Sequence, residues 1–325
     1  MKTKIVYAVT SDNSDIYLEQ TYVSICSLRR FHPDATVILV VDDKTNNTIT
    51  GKREYILEVV TEKIVVIPPQ EYTKVERSRY LKTTIRSYIE GDYLFIDSDT
   101  VICDDLSDVD NFDGDICAVL DYHLPLKEHH FYDNFIKAQA QHIEWTLRPS
   151  DTFFNSGVMY VRDNPRTHML YQHWNQEWMK YRGVKYVSHA DQPFLGKVNS
   201  EMEYVIKEID GKWNCQIAAN GLRYFYNAKI LHYFSSTIRR EEKEHIYVLM
   251  NNKVFSHLKK EGSLDDYLKQ IIESPKREFA KRLMLISGTT TDVFCSNIVR
   301  RIFYIHKNHH RLYKILDFLC KIWNK

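Results

Sequence analysis

Glycine and proline are both scarce, at 10 and 8 of 325 residues. That scarcity excludes collagenous, Gly-rich repeat and low-complexity disordered chains. No stretch of about 18 apolar residues occurs, so no transmembrane helix is expected. The opening Met1-Lys2-Thr3-Lys4 leads into an apolar run over residues 5–9. That run is too short for the core of a signal peptide and lacks a small-residue cleavage site. The six cysteines (Cys26, Cys103, Cys117, Cys215, Cys295, Cys320) are widely scattered and form no Cys-x-x-Cys pair. A zinc ribbon, a thioredoxin-like site and a disulfide framework are therefore unexpected, and reduced buried thiols in a cytosolic protein fit the pattern. Gly-x-Gly-x-x-Gly is absent after the first apolar run, and Gly-x-x-x-x-Gly-Lys-Ser/Thr is absent throughout. This sets aside dinucleotide oxidoreductases and P-loop NTPases.

What is present is an ordinary globular composition, 44% hydrophobic and 27% charged, long enough for one large domain or two smaller ones. Aromatics reach 13% with 22 Tyr, which suits stacking on sugars or bases and equally suits packing. The net charge of +1 hides an asymmetry. Residues 276–325 carry 11 Lys/Arg and 3 Asp/Glu, a local net of +8, which leaves the remainder at −7.

Strand and helix patterns alternate through the first 120 residues. Residues 4–10, 36–41, 63–67 and 92–96 read as strands, and 17–31, 48–59 and 75–89 as helices. Such βαβα order implies a mainly parallel sheet covered by helices on both faces. Ligands of these sheets bind beyond the carboxyl ends of the strands. Further on, 115–120 and 153–161 read as strands, the latter interrupted by Asn155-Ser156-Gly157. Residues 165–181 read as a helix, 189–196 as a loop entering a short helix, and 203–209 and 229–233 as short strands. From about 263 the pattern is helical.

The fourth strand runs into Asp97-Ser98-Asp99. Two carboxylates spaced two apart at a strand end can aim at one point, as hard oxygen ligands for Mg²⁺ or Mn²⁺ that also bind phosphate oxygens. Asp-Ser-Asp is also good chemistry for a solvated turn.

Seven segments in order resemble family 8 glycosyltransferases, the group containing bacterial lipopolysaccharide galactosyl- and glucosyltransferases and glycogenin. Residues 92–100, Asp-Tyr-Leu-Phe-Ile-Asp-Ser-Asp-Thr, resemble the family's metal-binding segment, and 5–12 its first strand and base-holding loop. Residues 79–88 resemble the helix carrying a donor-binding arginine. Phe154-Asn155-Ser156-Gly157-Val158 resembles a sugar-contacting segment, and Asp191-Gln192 the pair beside the sugar's reactive carbon. Trp213-Asn214-Cys215-Gln216 resembles a Trp-Asn-x-Gln element. Ile230-Leu231-His232-Tyr233 resembles the strand bearing a third metal ligand. The match covers roughly 1–235.

The resemblance implies a metal-dependent transferase with a GT-A-type, Rossmann-like nucleotide-sugar domain over 1–250. A helical, basic region over 251–325 follows. It implies Asp97, Asp99 and His232 as metal ligands for Mn²⁺ or Mg²⁺, and Asp191 and Gln192 at the catalytic centre. It further implies donor contacts from Ala8, Val9, Thr10, Asp12, Tyr17, Arg79, Ser98, Asn155, Ser156 and Arg239. The donor would be a UDP-sugar, the acceptor a glycan or a lipid-linked sugar, and the outcome retention of configuration. Bacterial surface polysaccharide synthesis, lipopolysaccharide included, is the setting expected by analogy.

Two departures stand out. The family follows its metal His with Gly and a Lys-Pro-Trp segment, whereas here the run is His232-Tyr233-Phe234-Ser235-Ser236-Thr237-Ile238-Arg239-Arg240. Arg239 or Arg240 would have to replace that Lys electrostatically. Residues 123–148 carry no placeable motif, and their position suggests an acceptor-side segment holding His129, His130, Phe131, Tyr132 and Trp145.

Placed on a helical wheel, residues 311–325 put Leu312, Ile315, Leu316, Leu319 and Trp323 on one face and Arg311, Lys314, Lys321 and Lys325 on the other. That pattern suits a peripheral anchor on the cytoplasmic face of an anionic membrane, or a helix packed on the core. Nucleic acid fits poorly with the acidic remainder. Two other functions remain open. One is a haloacid-dehalogenase-type phosphohydrolase, against which Val101 stands where that family has Thr. The other is an inactive sugar-binding relative serving as a scaffold.

Overall fold

The structure, a computed structural model, describes residues 1–184, 190–217, 219–234, 248–280 and 297–323. Continuous apolar runs set the strands. β1 (Lys4–Val9), β2 (Val37–Asp42), β3 (Glu62–Val66) and β4 (Tyr93–Ile96) follow the expected βαβα order. β2 and β4 are buried at every residue, as strands covered on both faces must be. β5 (Thr100–Ile102), β6 (Ile116–Leu120), β7 (Phe154–Val161), β8 (Ile206–Glu208), β9 (Cys215–Gln216) and β10 (Ile230–His232) complete the described strands.

The main sheet runs in the order β3-β2-β1-β4-β7-β6-β8. β1 pairs in parallel with β2 and β4, β2 with β3, and β6 with β8. β7 alone runs antiparallel to both of its neighbours. The chain goes from β1 outward to β2 and β3, then returns to place β4 on the other side of β1. That reversal opens a crevice beyond the carboxyl ends of β1 and β4. A smaller sheet, β5-β10-β9, lies just past β4 in sequence.

The helix Lys74–Thr84 starts at a capping box, in which Thr73 and Glu76 satisfy each other's backbone N–H groups. It tightens into a 3₁₀ turn over Ile85–Ser87, short of the helix expected to 89. The helix Pro165–Lys180 opens on an Asn164 cap with proline at its first position. Its Leu170, Tyr171, Trp174 and Trp178 enter the main core beside Phe95, Met159 and Phe194.

Several expectations change. The helix expected over 48–59 is a 3₁₀ coil, Gly51–Glu58. Three residues per turn place Arg53 and Ile56 on one buried side, where the Arg53 guanidinium meets Glu19 at 3.4 Å. β7 is not interrupted at Asn155-Ser156-Gly157 but is buried from end to end. Hydrogen bonds to that polar triplet replace water and let the strand continue. β5 and β9 are too short to leave a periodic signal.

Contacts divide the chain into a unit over Met1–Phe279 and a second over Ala280–Lys325. The first reaches past residue 250 because the helix Asp266–Glu273 packs on the helix Tyr17–Arg29, where the Arg30 guanidinium donates to the Ile272 carbonyl at 2.5 Å. The described part of the second unit consists of the helices Asn297–Asn308 and His310–Trp323. Cys26, Cys103, Cys117, Cys215 and Cys320 are free thiols; Cys117 and Cys215 are buried, and Cys320 is exposed.

Candidate metal centre and donor site

β4 delivers Asp97 to the carboxyl edge of the main sheet, and a tight turn carries the chain into β5. The Thr100 hydroxyl donates to the Asp97 carbonyl at 2.9 Å and closes that turn. β10 runs antiparallel to β5 with His232 opposite Thr100, and the Tyr233 N–H donates to the Asp99 carbonyl at 3.1 Å. Sheet register alone thus brings a histidine 133 residues downstream of Asp99 to within 3.2 Å of its carboxylate.

Because β7 is antiparallel to β4, its amino end lies at the same edge. The Asp97 N–H donates to the Gly157 carbonyl at 2.7 Å. Any side chain at Gly157 would intrude on this corner. A Cβ there would lie 2.4 Å from His232 Cε1 and 2.9 Å from an Asp97 carboxylate oxygen.

Ligand atoms of Asp97, Asp99 and His232 lie within 4.8 Å of one another. Two carboxylates and an imidazole are a donor set suited to a divalent cation with positions left for phosphate oxygens. The electrostatics agree. Burial raises the pKa of Asp97 against the pull of Lys82, and the nearby Asp99 and Asp191 carboxylates add to the rise. Burial opposes ionisation of Asp99 as well, but the His232 imidazole holds its carboxyl below the usual range. Converging carboxylates of this kind are stabilised by a cation.

Asp191 precedes the helix Gln192–Glu201 and is buried. The Ser156 hydroxyl donates to it at 2.8 Å, Arg79 Nε lies 3.4 Å away and Lys82 Nζ 3.5 Å. Burial pushes its pKa up, but these three donors, led by Lys82, hold the carboxyl well below the ordinary range. The Trp174 indole N–H donates to its backbone carbonyl at 3.0 Å, and the Gln192 side-chain amide donates to the Phe154 carbonyl at 3.0 Å.

Lys82 is a residue that sequence reasoning missed. Its ammonium touches both Asp97 carboxylate oxygens, at 3.1 and 3.2 Å, and reaches Asp191. It joins Asp97 to Asp191. Its signal was its place one helical turn after Arg79, on the same face. Asp121 was missed too. It accepts from the Asn155 amide at 2.8 Å and pairs with His129 Nε2 at 2.9 Å.

The residues expected to hold the base gather at the carboxyl end of β1. Val9 and Thr10 are buried, Ala8 is half-buried, and Tyr17 is exposed. Lys74 pairs with Asp12 at 2.6 Å and holds its carboxyl below the usual range. Lys74 Nζ also stands 5.9 Å from the centre of the Tyr17 ring. Ser98 is half-buried between the two aspartates. Arg239 and Arg240 lie outside the described residues.

Residues 13–237 match the sequence model described as glycosyl transferase family 8. The chain belongs to glycosyltransferase family 8. As a family 8 member it is a glycosyltransferase, and the phosphohydrolase alternative falls away. Three solved structures illustrate the likeness. Mouse xyloside xylosyltransferase 1 in its apo form is 17% identical, matched over 74% of this chain and 100% of its own, with a TM-score of 0.48. The galactosyltransferase LgtC, in complex with donor and acceptor sugar analogues, is 15% identical over 82% of this chain and 99% of its own, at 0.49. The glycosyltransferase GlyE of Streptococcus pneumoniae is 18% identical over 84% of this chain and 63% of its own, at 0.48. No curated protein sequence matches the chain.

Proposed function

We propose that this family 8 glycosyltransferase moves a hexosyl unit from a UDP-sugar to a glycan or lipid-linked acceptor. The reaction depends on Mn²⁺ or Mg²⁺, retains configuration at the sugar carbon, and serves bacterial surface polysaccharide assembly. The observation carrying this reading is the convergence of Asp97, Asp99 and His232 at the carboxyl edge of the sheet, one lysine away from Asp191.

Asp97, Asp99 and His232 would hold the metal. When bound, the metal supplies Lewis-acid neutralisation of the departing nucleoside diphosphate. Lys82 balances the charge of Asp97 and Asp191 at the same point. Three donors already engage the Asp191 carboxylate, which suits hydrogen bonding to sugar hydroxyls better than nucleophilic attack. Gln192 is held beside it by the Phe154 carbonyl. The end of β1, with Ala8, Val9, Thr10, Asp12 and Tyr17, takes the nucleotide, and Arg79, Ser98, Asn155, Ser156 and Arg239 complete the donor contacts. The helix His310–Trp323 is the element assigned to a peripheral contact with anionic membrane on the cytoplasmic side.

Calorimetric titration with UDP, UDP-glucose, UDP-galactose and their N-acetyl forms, with and without Mn²⁺, tests the reading. One donor should bind only with metal, and Asp97→Asn and Asp99→Asn should each abolish that binding while circular dichroism stays unchanged. Metal-dependent donor binding retained in both variants would overturn the metal assignment.

A further inference from the structure

We infer that Asn214 is a positioning residue that fixes the tautomer of His232, so that Nε2 presents its lone pair to the metal. The inference rests on reading Asp97, Asp99 and His232 as the metal site.

The Gly157 backbone N–H can only donate, and it donates to Asn155 Oδ1 at 3.0 Å. That bond sets the Asn155 amide, whose Nδ2 then faces Asp121 Oδ1, an acceptor, at 2.8 Å. Asn155 Oδ1 takes a second hydrogen bond from Asn214 Nδ2 at 2.9 Å. The Asn214 amide is thereby set as well, and its Oδ1 lies 2.9 Å from His232 Nδ1. An amide oxygen accepts, so Nδ1 carries the hydrogen. The nitrogen left for a cation is Nε2, which lies 3.2 Å from Asp99 Oδ1.

Burial makes the arrangement one-sided. Asn155, Asn214 and His232 are 4%, 0% and 3% exposed, so water cannot rescue a flipped amide. Turning Asn155 would set its N–H groups against those of Gly157 and Asn214, and turning Asn214 would set its oxygen against Asn155 Oδ1; in the interior each such mismatch costs about 1–3 kcal/mol per unsatisfied group. The ring is confined on other sides too. Gly157 leaves no room for a Cβ beside Cε1, and the Phe234 ring packs at 4.7 Å between centroids. A metal-bound histidine whose second nitrogen is held in this way keeps both ring orientation and basicity.

The fold explains why Asn214 arrives there. It directly precedes β9, which pairs in parallel with β10, Cys215 beside Leu231 and Gln216 beside His232. The Trp-Asn-x-Gln segment thus acquires a role for each polar member. Asn214 sets His232, while Gln216 accepts from the Tyr122 N–H and donates to the Leu120 carbonyl.

The test uses the full chain, Mn²⁺ alone as the probe, and no turnover. Calorimetry should show Asn214→Ala binding Mn²⁺ about 10- to 100-fold more weakly than wild type, while Asn214→Asp, which keeps an acceptor for Nδ1, retains most of the affinity. Folded Asn214→Ala with wild-type Mn²⁺ affinity overturns the inference, even if its melting temperature drops, because that is the signature of a merely structural asparagine. Wild-type protein that takes up no Mn²⁺ overturns the metal reading and this inference together. Selective ¹⁵N-histidine labelling of the wild-type, Mg²⁺-loaded protein gives a readout independent of any variant. A proton on His232 Nδ1 alone supports the inference, and a proton on Nε2 overturns it.

Discussion

At the residue scale, strain and burial meet at His123. Tyr122 and His123 have φ of 57° and 53°, left-handed values that cost a non-glycine residue about 1–2 kcal/mol. They persist because the surroundings hold them. The Tyr122 N–H donates to Gln216 and the His123 Nε2 accepts from the Gln216 N–H at 3.2 Å. Burial pushes the His123 pKa down to about 3. The unfolded chain, with an ordinary histidine pKa near 6.5, therefore binds more protons between those limits. The contribution of His123 is fully present above about pH 6.5 and is lost as the pH falls toward 3. Asparagine tolerates left-handed backbone, so His123→Asn is expected to fold. Urea unfolding between pH 7.5 and 5 should show the wild type losing stability faster than the variant, by at most about 1.4 kcal/mol per pH unit from this group.

At the element scale, the direction of β7 matters most. An antiparallel strand beside β4 puts Asn155, Ser156 and Gly157 at the edge where Asp97 emerges, and each makes a bond there. Asn155 links Asp121 to Asn214, Ser156 holds Asp191, and Gly157 receives the Asp97 N–H. The helix Pro165–Lys180 then backs the sheet with Trp174 and Trp178, both with no exposed surface. Trp174 also reaches the Asp191 carbonyl, whereas Trp178 packs on Tyr72 at 6.1 Å between ring centres. Trp178→Ala should therefore lower stability by about 3–5 kcal/mol through the cavity it leaves. Denaturant midpoints measure that loss, and Mn²⁺ affinity of the folded variant should stay near wild type.

At the scale of the whole molecule, the candidate metal centre lies within the unit Met1–Phe279. The second unit presents a different surface. Leu312, Ile315, Leu316, Phe318, Leu319 and Ile322 are exposed on the helix His310–Trp323, while Tyr313 and Asp317 on its other side are half-buried. Residues 297–323 hold six Lys/Arg and one acidic residue, Asp317. An apolar face among cations suits the surface of an anionic bilayer. No helix among the described residues is long and apolar enough to cross one. Removing 311–325 should reduce sedimentation with vesicles containing phosphatidylglycerol and leave weak binding to phosphatidylcholine unchanged. Equal sedimentation of both forms would instead mark this helix as a packing element.

Local pattern by itself determined a good deal. Buried apolar runs placed β1, β2 and β4, because a strand covered on both faces leaves no polar alternation to confuse with anything else. Asp97 and Asp99 were legible because they stand where a buried strand ends, the edge at which such sheets bind ligands. The sequence also announced the family through short segments in a set order. Tertiary structure decided the rest. Lys82 shares a helix face with Arg79, but that its ammonium reaches Asp97 and Asp191 depends on where the helix Lys74–Thr84 crosses the sheet. Asn214 reaches His232 because β9 lies beside β10, and β9 is too short for periodicity to reveal. Arg53 and Tyr55 tightened their segment because Glu19, 34 residues away from Arg53, is buried and needs partners. Local pattern sets which segments can be strands or helices; which polar groups meet depends on long-range pairing, since a buried polar group can use only the partners that the fold brings within reach.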